Sequence, residues 1–152
     1  MGSSGTHLWL VLAKAYRTLR EHAERSLEGI GICLSDFAIL ELLLNRGPQP
    51  VNTLGQRIHL TSGSVTTAVD RLEERGLAVR SADPGDRRSR LVSLTPKGTR
   101  CISDVFGDHR KAMNRASEGL TRSERTTLIQ LVKKLGRSAE EKKPAPKKLT
   151  GK

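Results

Sequence analysis

Three arginines, Arg87, Arg88 and Arg90, crowd together with only Asp83 and Asp86 nearby to neutralise them. A guanidinium is permanently charged, and its planar fork of donors matches phosphate oxygens. Such a cluster beside a turn is costly unless phosphate or a narrow minor groove receives it. Upstream, Ser62, Gly63, Ser64, Thr66 and Thr67 are all small, and Arg71 follows one helical turn later. Small side chains let a backbone approach base edges in a major groove about 12 Å wide. The chemistry on offer is contact with duplex nucleic acid. A charged hairpin can also be a solvated edge that blocks strand pairing, so the arginines count through the elements that precede them.

Those elements are legible from spacing. Val65, Ala68, Val69 and Leu72 fall at i, i+3, i+4 and i+7, one face of a helix directed to a core. Val51, Leu54 and Ile58 form a shorter stripe before it, and Leu60 to Gly63 leaves room only for a tight turn. Two helices so joined make a helix-turn-helix. Gly76 closes the second helix as a left-handed residue. Leu77 to Ala82 then reads as a strand, Asp83-Pro84-Gly85-Asp86 as a type II turn, and Arg87 to Leu94 as the returning strand. The expected fold is mainly α with a small β-wing: a winged helix-turn-helix, about 35–98, flanked by dimerisation helices at about 7–28 and 96–138.

The flanking helices follow the same logic. Leu8, Leu12, Ala15, Leu19 and Ala23 recur at helical spacing from His7 to Leu27, more apolar surface than a small winged helix covers, which suits packing against a second copy. Ser35 is expected to cap a helix over Asp36 to Asn45 with Phe37, Leu40, Leu43 and Leu44 inward, and Asn52 to cap the first helix of the helix-turn-helix. Thr95 and Pro96 open a helix carrying Ile102, Val105, Phe106, His109, Met113 and Ala116. Thr121 with Glu124 forms a capping box for a last helix. Residues 1–6 are expected to be flexible, and the basic stretch 139–152 to be a disordered tail.

Composition narrows the partners. A net charge of +11 points to an anion, with nucleic acid first. Aromatic residues are only 3% of the chain, too few for the stacking platforms of single-strand binders. No stretch has the length or apolarity to span a bilayer and no signal-like segment opens the chain, so a cytoplasmic protein is expected. No catalytic constellation is found: the four histidines have no metalloprotease spacing and the glycines no phosphate loop. An enzyme is not expected, nor a cofactor, nor a metal. Glu21, His22 and Glu24 point to different helical faces. Cys33, with no evident cationic neighbour in the sequence, is expected to be a reduced, partly buried packing residue.

The runs SGSVTTAVDRLEERGL and DPGDRRSRLVSLTPKG resemble the MarR family of bacterial transcription regulators, whose pattern is a recognition helix ending V-D-R-L-E-x-x-G-L, then D-R-R, then a strand closing L-T-x-x-G. The likeness spans roughly residues 7 to 140. It implies a homodimer on a pseudo-palindromic double-stranded operator, acting as a repressor released by a small aromatic or phenolic effector. Arg88 matches the position that enters the minor groove, with Asp86 orienting it. Arg87, Arg90 and Arg71 would meet phosphates, and Ser62, Ser64, Thr66 and Thr67 bases or backbone. Trp9, Tyr16 and Phe37 could line an effector site. A branch of the family that answers to urate carries an F-D-V-L run where this chain reads Phe37-Ala38-Ile39-Leu40, an incomplete match. The alternative is an architectural protein that coats DNA without regard to sequence.

Overall fold

A computed structural model describes residues 4–143 of the chain. Its elements are α1 (Gly5–Arg25), α2 (Leu34–Arg46), β1 (Gln49–Pro50), α3 (Val51–Arg57), α4 (Ser62–Glu74), β2 (Ala78–Ala82), β3 (Arg90–Leu94), α5 (Pro96–Ala116) and α6 (Arg122–Glu141). The chain divides into two compact units, residues 1–116 and 117–152, each described by itself.

In the first unit, the predicted inner face of α4 is buried throughout, and it packs with Ile39 and Leu40 of α2, Leu54 of α3, Val92 of β3 and Ile102 of α5. Each such aliphatic side chain contributes about 1.5–3 kcal/mol by leaving water. On α2 the expected face is corrected: Leu44 is exposed, while Ile39 takes the interior position. The start of α2 is corrected as well. The N-cap is Cys33, and Ser35 lies inside the first turn. Nor does Asn52 cap α3. The cap residue is Pro50, and Asn52 accepts only the adjacent N–H of Thr53.

The sheet is antiparallel in the order β1-β3-β2, with Arg80 opposite Val92 and Gln49 opposite the same residue on the other side. The two-residue β1 pairs with β3 and pins α3 to the wing. Gly76 has φ +69°, and the N–H of Leu77 bonds to the carbonyl of Leu72, the closure expected of a left-handed helix end. The tip departs from a type II turn. Gly85 is not among the residues with positive φ; the Asp83 side chain instead accepts the Gly85 N–H at 2.8 Å, and the turn continues to Ser89, so β3 starts only at Arg90.

Thr95 ties the wing to α5. Its hydroxyl donates to the Gly76 carbonyl at 2.7 Å and accepts from the Gly98 N–H at 2.9 Å, and its own N–H reaches the Leu77 carbonyl. The approach is so close that a Cβ on Gly98 would lie 1.9 Å from the Leu77 carbonyl oxygen. Glycine is required there.

In the second unit α6 carries the expected capping box between Thr121 and Glu124. The helix continues to Glu141, into the start of the segment expected to be a disordered tail; residues 144–152 lie outside the described part, as do 1–3. At the other end α1 is capped by Ser4 and begins at Gly5, inside the segment expected to be flexible.

Candidate nucleic-acid interface

Helix α4 presents Ser62, Gly63, Ser64, Thr66 and Thr67 to solvent while Val65, Ala68 and Val69 hold it in the core. Thr61 caps the helix, its side chain accepting the Ser64 N–H at 3.2 Å. Two of the exposed hydroxyls are already oriented. Thr66 donates to the Ser62 carbonyl at 2.8 Å and Thr67 to the Gly63 carbonyl at 3.0 Å.

Across from this face stand Arg88 and Arg90. Together with Val51, Ser62, Thr66, Arg80 and Asp86 they line an open trough of about 500 Å³ between the recognition helix and the wing. The guanidinium groups of Arg87, Arg88 and Arg90 have no ion pair among the described residues, although Asp83 and Asp86 are close in sequence. Both carboxylates serve the turn's backbone instead: Asp86 accepts the Arg88 N–H at 2.9 Å as Asp83 accepts that of Gly85. The wing therefore exposes three uncompensated cations on a tip built by two aspartates.

Arg71 has a different setting. Its Nε lies 3.1 and 3.2 Å from the two carboxylate oxygens of Asp36, and its Nη2 pairs with the same group. The hydrogen bond to Asp36 raises the guanidinium's pKa further above its ordinary value, against a smaller lowering by burial. The same Nη2 reaches Cys33 Sγ at 3.3 Å and Ser35 Oγ at 3.5 Å. The expectation for Cys33 is corrected on two counts: the residue is exposed, and it has a cationic neighbour. That neighbour is 38 positions away in the chain, which is why spacing did not show it. Cys101 is half-buried.

Two further arginines of the α4–β2 segment escaped the sequence reading. Arg75 bonds to the carbonyls of Ile30 and Gly31, fastening the end of α4 to the loop after α1. Arg80 on β2 lies between Asp70 and Glu73 of α4. Both are long-range contacts of charged residues, which hydrophobic periodicity cannot register.

The three aromatic residues proposed for an effector are not brought together. Trp9 and Tyr16 project from α1, each 66% exposed, whereas Phe37 is buried with its ring against Phe106 and His109. On α1 Glu24 pairs with Arg20 at 2.8 Å. Among the described residues no helix is long and apolar enough to cross a membrane.

The sequence model of the MarR family matches residues 32–89. The HTH-type transcriptional regulator MhqR of Bacillus subtilis is 34% identical over 141 residues, covering 93% of this chain and 97% of MhqR. The uncharacterised HTH-type regulator YkoM of the same organism is 40% identical over 130 residues, 86% of this chain and 84% of YkoM. The crystal structure of a probable transcriptional regulator from Pseudomonas aeruginosa is similar with a TM-score of 0.76 at 31% identity, over 83% of this chain and 94% of that one.

Proposed function

This chain belongs to the MarR family, and on that premise we propose that it is a cytoplasmic transcriptional regulator that reads duplex DNA as a homodimer. Each protomer would set α4 into a major groove and its wing into the flanking minor groove, the two half-sites lying about one helical turn, roughly 10 base pairs, apart. The observation that carries this reading is the trough itself: small exposed side chains on one wall and unpaired arginines on the other.

The roles divide by surroundings. Arg88, its backbone held by Asp86, is assigned to the minor groove; Arg87 and Arg90 are assigned to phosphates; and Ser62, Ser64, Thr66 and Thr67 are assigned to bases and nearby backbone. Arg71 is assigned chiefly to anchoring α4, because its charge is answered by Asp36.

Dimerisation is supported by apolar side chains left exposed on two helices. On α1 these include Leu8, Trp9, Val11 and Tyr16; on α6 they include Leu128, Ile129, Leu131 and Val132. A second copy covering these faces would remove them from water. A small aromatic or phenolic effector is assigned to Trp9 and Tyr16 on the α1 face that the second copy covers, between the protomers, with Phe37 as packing rather than wall. Such a ligand would release DNA only as far as it prefers a dimer with displaced recognition helices. Repression is the assigned sign of control.

The test is selection from a random duplex pool at about 150 mM salt, where weak nonspecific attraction fades. A two-fold symmetric motif is expected. Binding at low salt with no enriched motif would replace this reading with that of a DNA-coating protein.

A further inference from the structure

Arg80 occupies the middle of β2, directly opposite Val92 in the wing ladder. It is fixed at both ends. Its backbone N–H donates to Glu73 Oε1 at 2.7 Å, and Nη1 pairs with the other oxygen of the same carboxylate. Nη2 meets Asp70 Oδ1 at 2.8 Å and the Thr66 carbonyl at 3.3 Å. Thr66, Asp70 and Glu73 follow one another at four and three positions, one side of α4 over two turns. One planar guanidinium thus spans the flank of the recognition helix.

The charges decide what this arginine does. Two carboxylates face one guanidinium, so an approaching phosphate meets net negative charge at Arg80, in contrast to the unpaired Arg87, Arg88 and Arg90. Yet Arg80 lines the same trough as Thr66, Arg88 and Arg90. It sits between the two groups of residues assigned to DNA, and touches the helix through the peptide of one of them.

We infer that Arg80 is a positioning residue that sets the wing's place relative to the recognition helix, so that one docking event serves both grooves. This inference rests on the DNA-reading proposal above. A wing held in its bound position avoids the ordering cost that a loose hairpin incurs on binding. Lysine would be a poor substitute, since a point charge cannot span two carboxylates and a carbonyl.

The experiment is a double-mutant cycle in the full-length protein between Arg80→Gln and Arg88→Ala, with Arg80→Lys alongside. Binding is measured on the motif from the selection, with A·T-rich and G·C-rich flanks. Arg88→Ala is expected to weaken the parent about tenfold on A·T flanks, but only about twofold once Arg80→Gln is present, a coupling of neighbouring roles. Arg80→Gln alone should retain the central motif and lose most of the flank preference, with Arg80→Lys intermediate. Multiplying effects of the two substitutions, or a salt slope lowered by about one unit with flank preference intact, would make Arg80 a phosphate contact and overturn the inference. So would a parent that selects a motif but is indifferent to Arg88→Ala. A parent that selects no motif fails at the earlier step, in the DNA-reading proposal. Should Arg80→Gln unfold, Asp70→Asn removes one arm of the contact, and unchanged flank preference there would count equally against it.

Discussion

Asp36 and Arg71 form an asymmetric pair: the carboxylate is 1% exposed, the guanidinium that meets it 40% exposed. A buried anion is thus held by a cation at the surface, one on α2 and the other on α4. Removing the cation leaves a carboxylate in the core with its main partner gone, which is costlier than the intact pair is favourable. Arg71→Ala is expected to destabilise the fold by about 3 kcal/mol, toward the lower end for broken buried pairs because Arg71 is partly solvated. Denaturant unfolding measures this. Well below the melting temperature, the salt dependence of DNA binding should change by less than about half a unit; a loss of about one unit would restore a phosphate role.

The wing arginines should behave differently, since no ion pair among the described residues is lost with them. Arg87→Ala and Arg90→Ala are each expected to lower the salt slope by about one unit and to weaken all sequences alike. Arg88→Ala should cost more on sites with A·T-rich flanks, where the minor groove is narrow and more negative. Titrations at several salt concentrations on two flank sets separate these outcomes.

Gly98 tests the joint between wing and α5. A methyl group there meets the Leu77 carbonyl head-on, and two backbones must part to admit it. Gly98→Ala is expected to cost about 3 kcal/mol, at the upper end for overpacking. Gly63→Ala, whose Cβ would meet nothing within 4 Å, is the matched control and should change stability little. Comparable unfolding midpoints for the two would refute the steric account.

His109 provides a pH signature. Ser26 donates its hydroxyl proton to the Ala23 carbonyl at 2.6 Å, so its oxygen must accept from His109 Nδ1 at 2.8 Å, which fixes the neutral tautomer. Burial lowers the imidazole's pKa below its ordinary 6.5. The unfolded chain therefore binds more protons than the folded one as pH falls below about 6.5, and stability declines there until the folded pKa is passed. His109→Gln should flatten that part of the stability profile. An unchanged slope would show that other groups cause it.

What the sequence disclosed and what it concealed divide along a physical line. The inner face of α4, the Gly76 closure and the Thr121–Glu124 box are local patterns, set by residues within two turns of one another. Arg71 with Asp36, Arg75 with Gly31 and Arg80 with Asp70 join different elements, and charged residues at such joints look in sequence like ordinary surface. The two-residue β1 is too short to have a period. At Cys33 and Ser35 the choice of cap was decided by tertiary demand, because the Ser35 hydroxyl lies beside Arg71 and Cys33 instead of closing the helix.

The oriented hydroxyls of Thr66 and Thr67 carry a consequence for the base reading proposed for this helix. While their protons are directed at helix carbonyls both oxygens offer acceptors, and to donate to a phosphate either hydroxyl must first give up that bond; beside each oxygen stands a methyl group. In a major groove an acceptor meets the amino groups of adenine or cytosine, and a methyl meets that of thymine; the acceptor edge of guanine has nothing to gain from either. Where these threonines meet bases as proposed, guanines under them should be disfavoured for as long as those intrahelical bonds are kept, leaving guanine recognition to donors elsewhere on the surface.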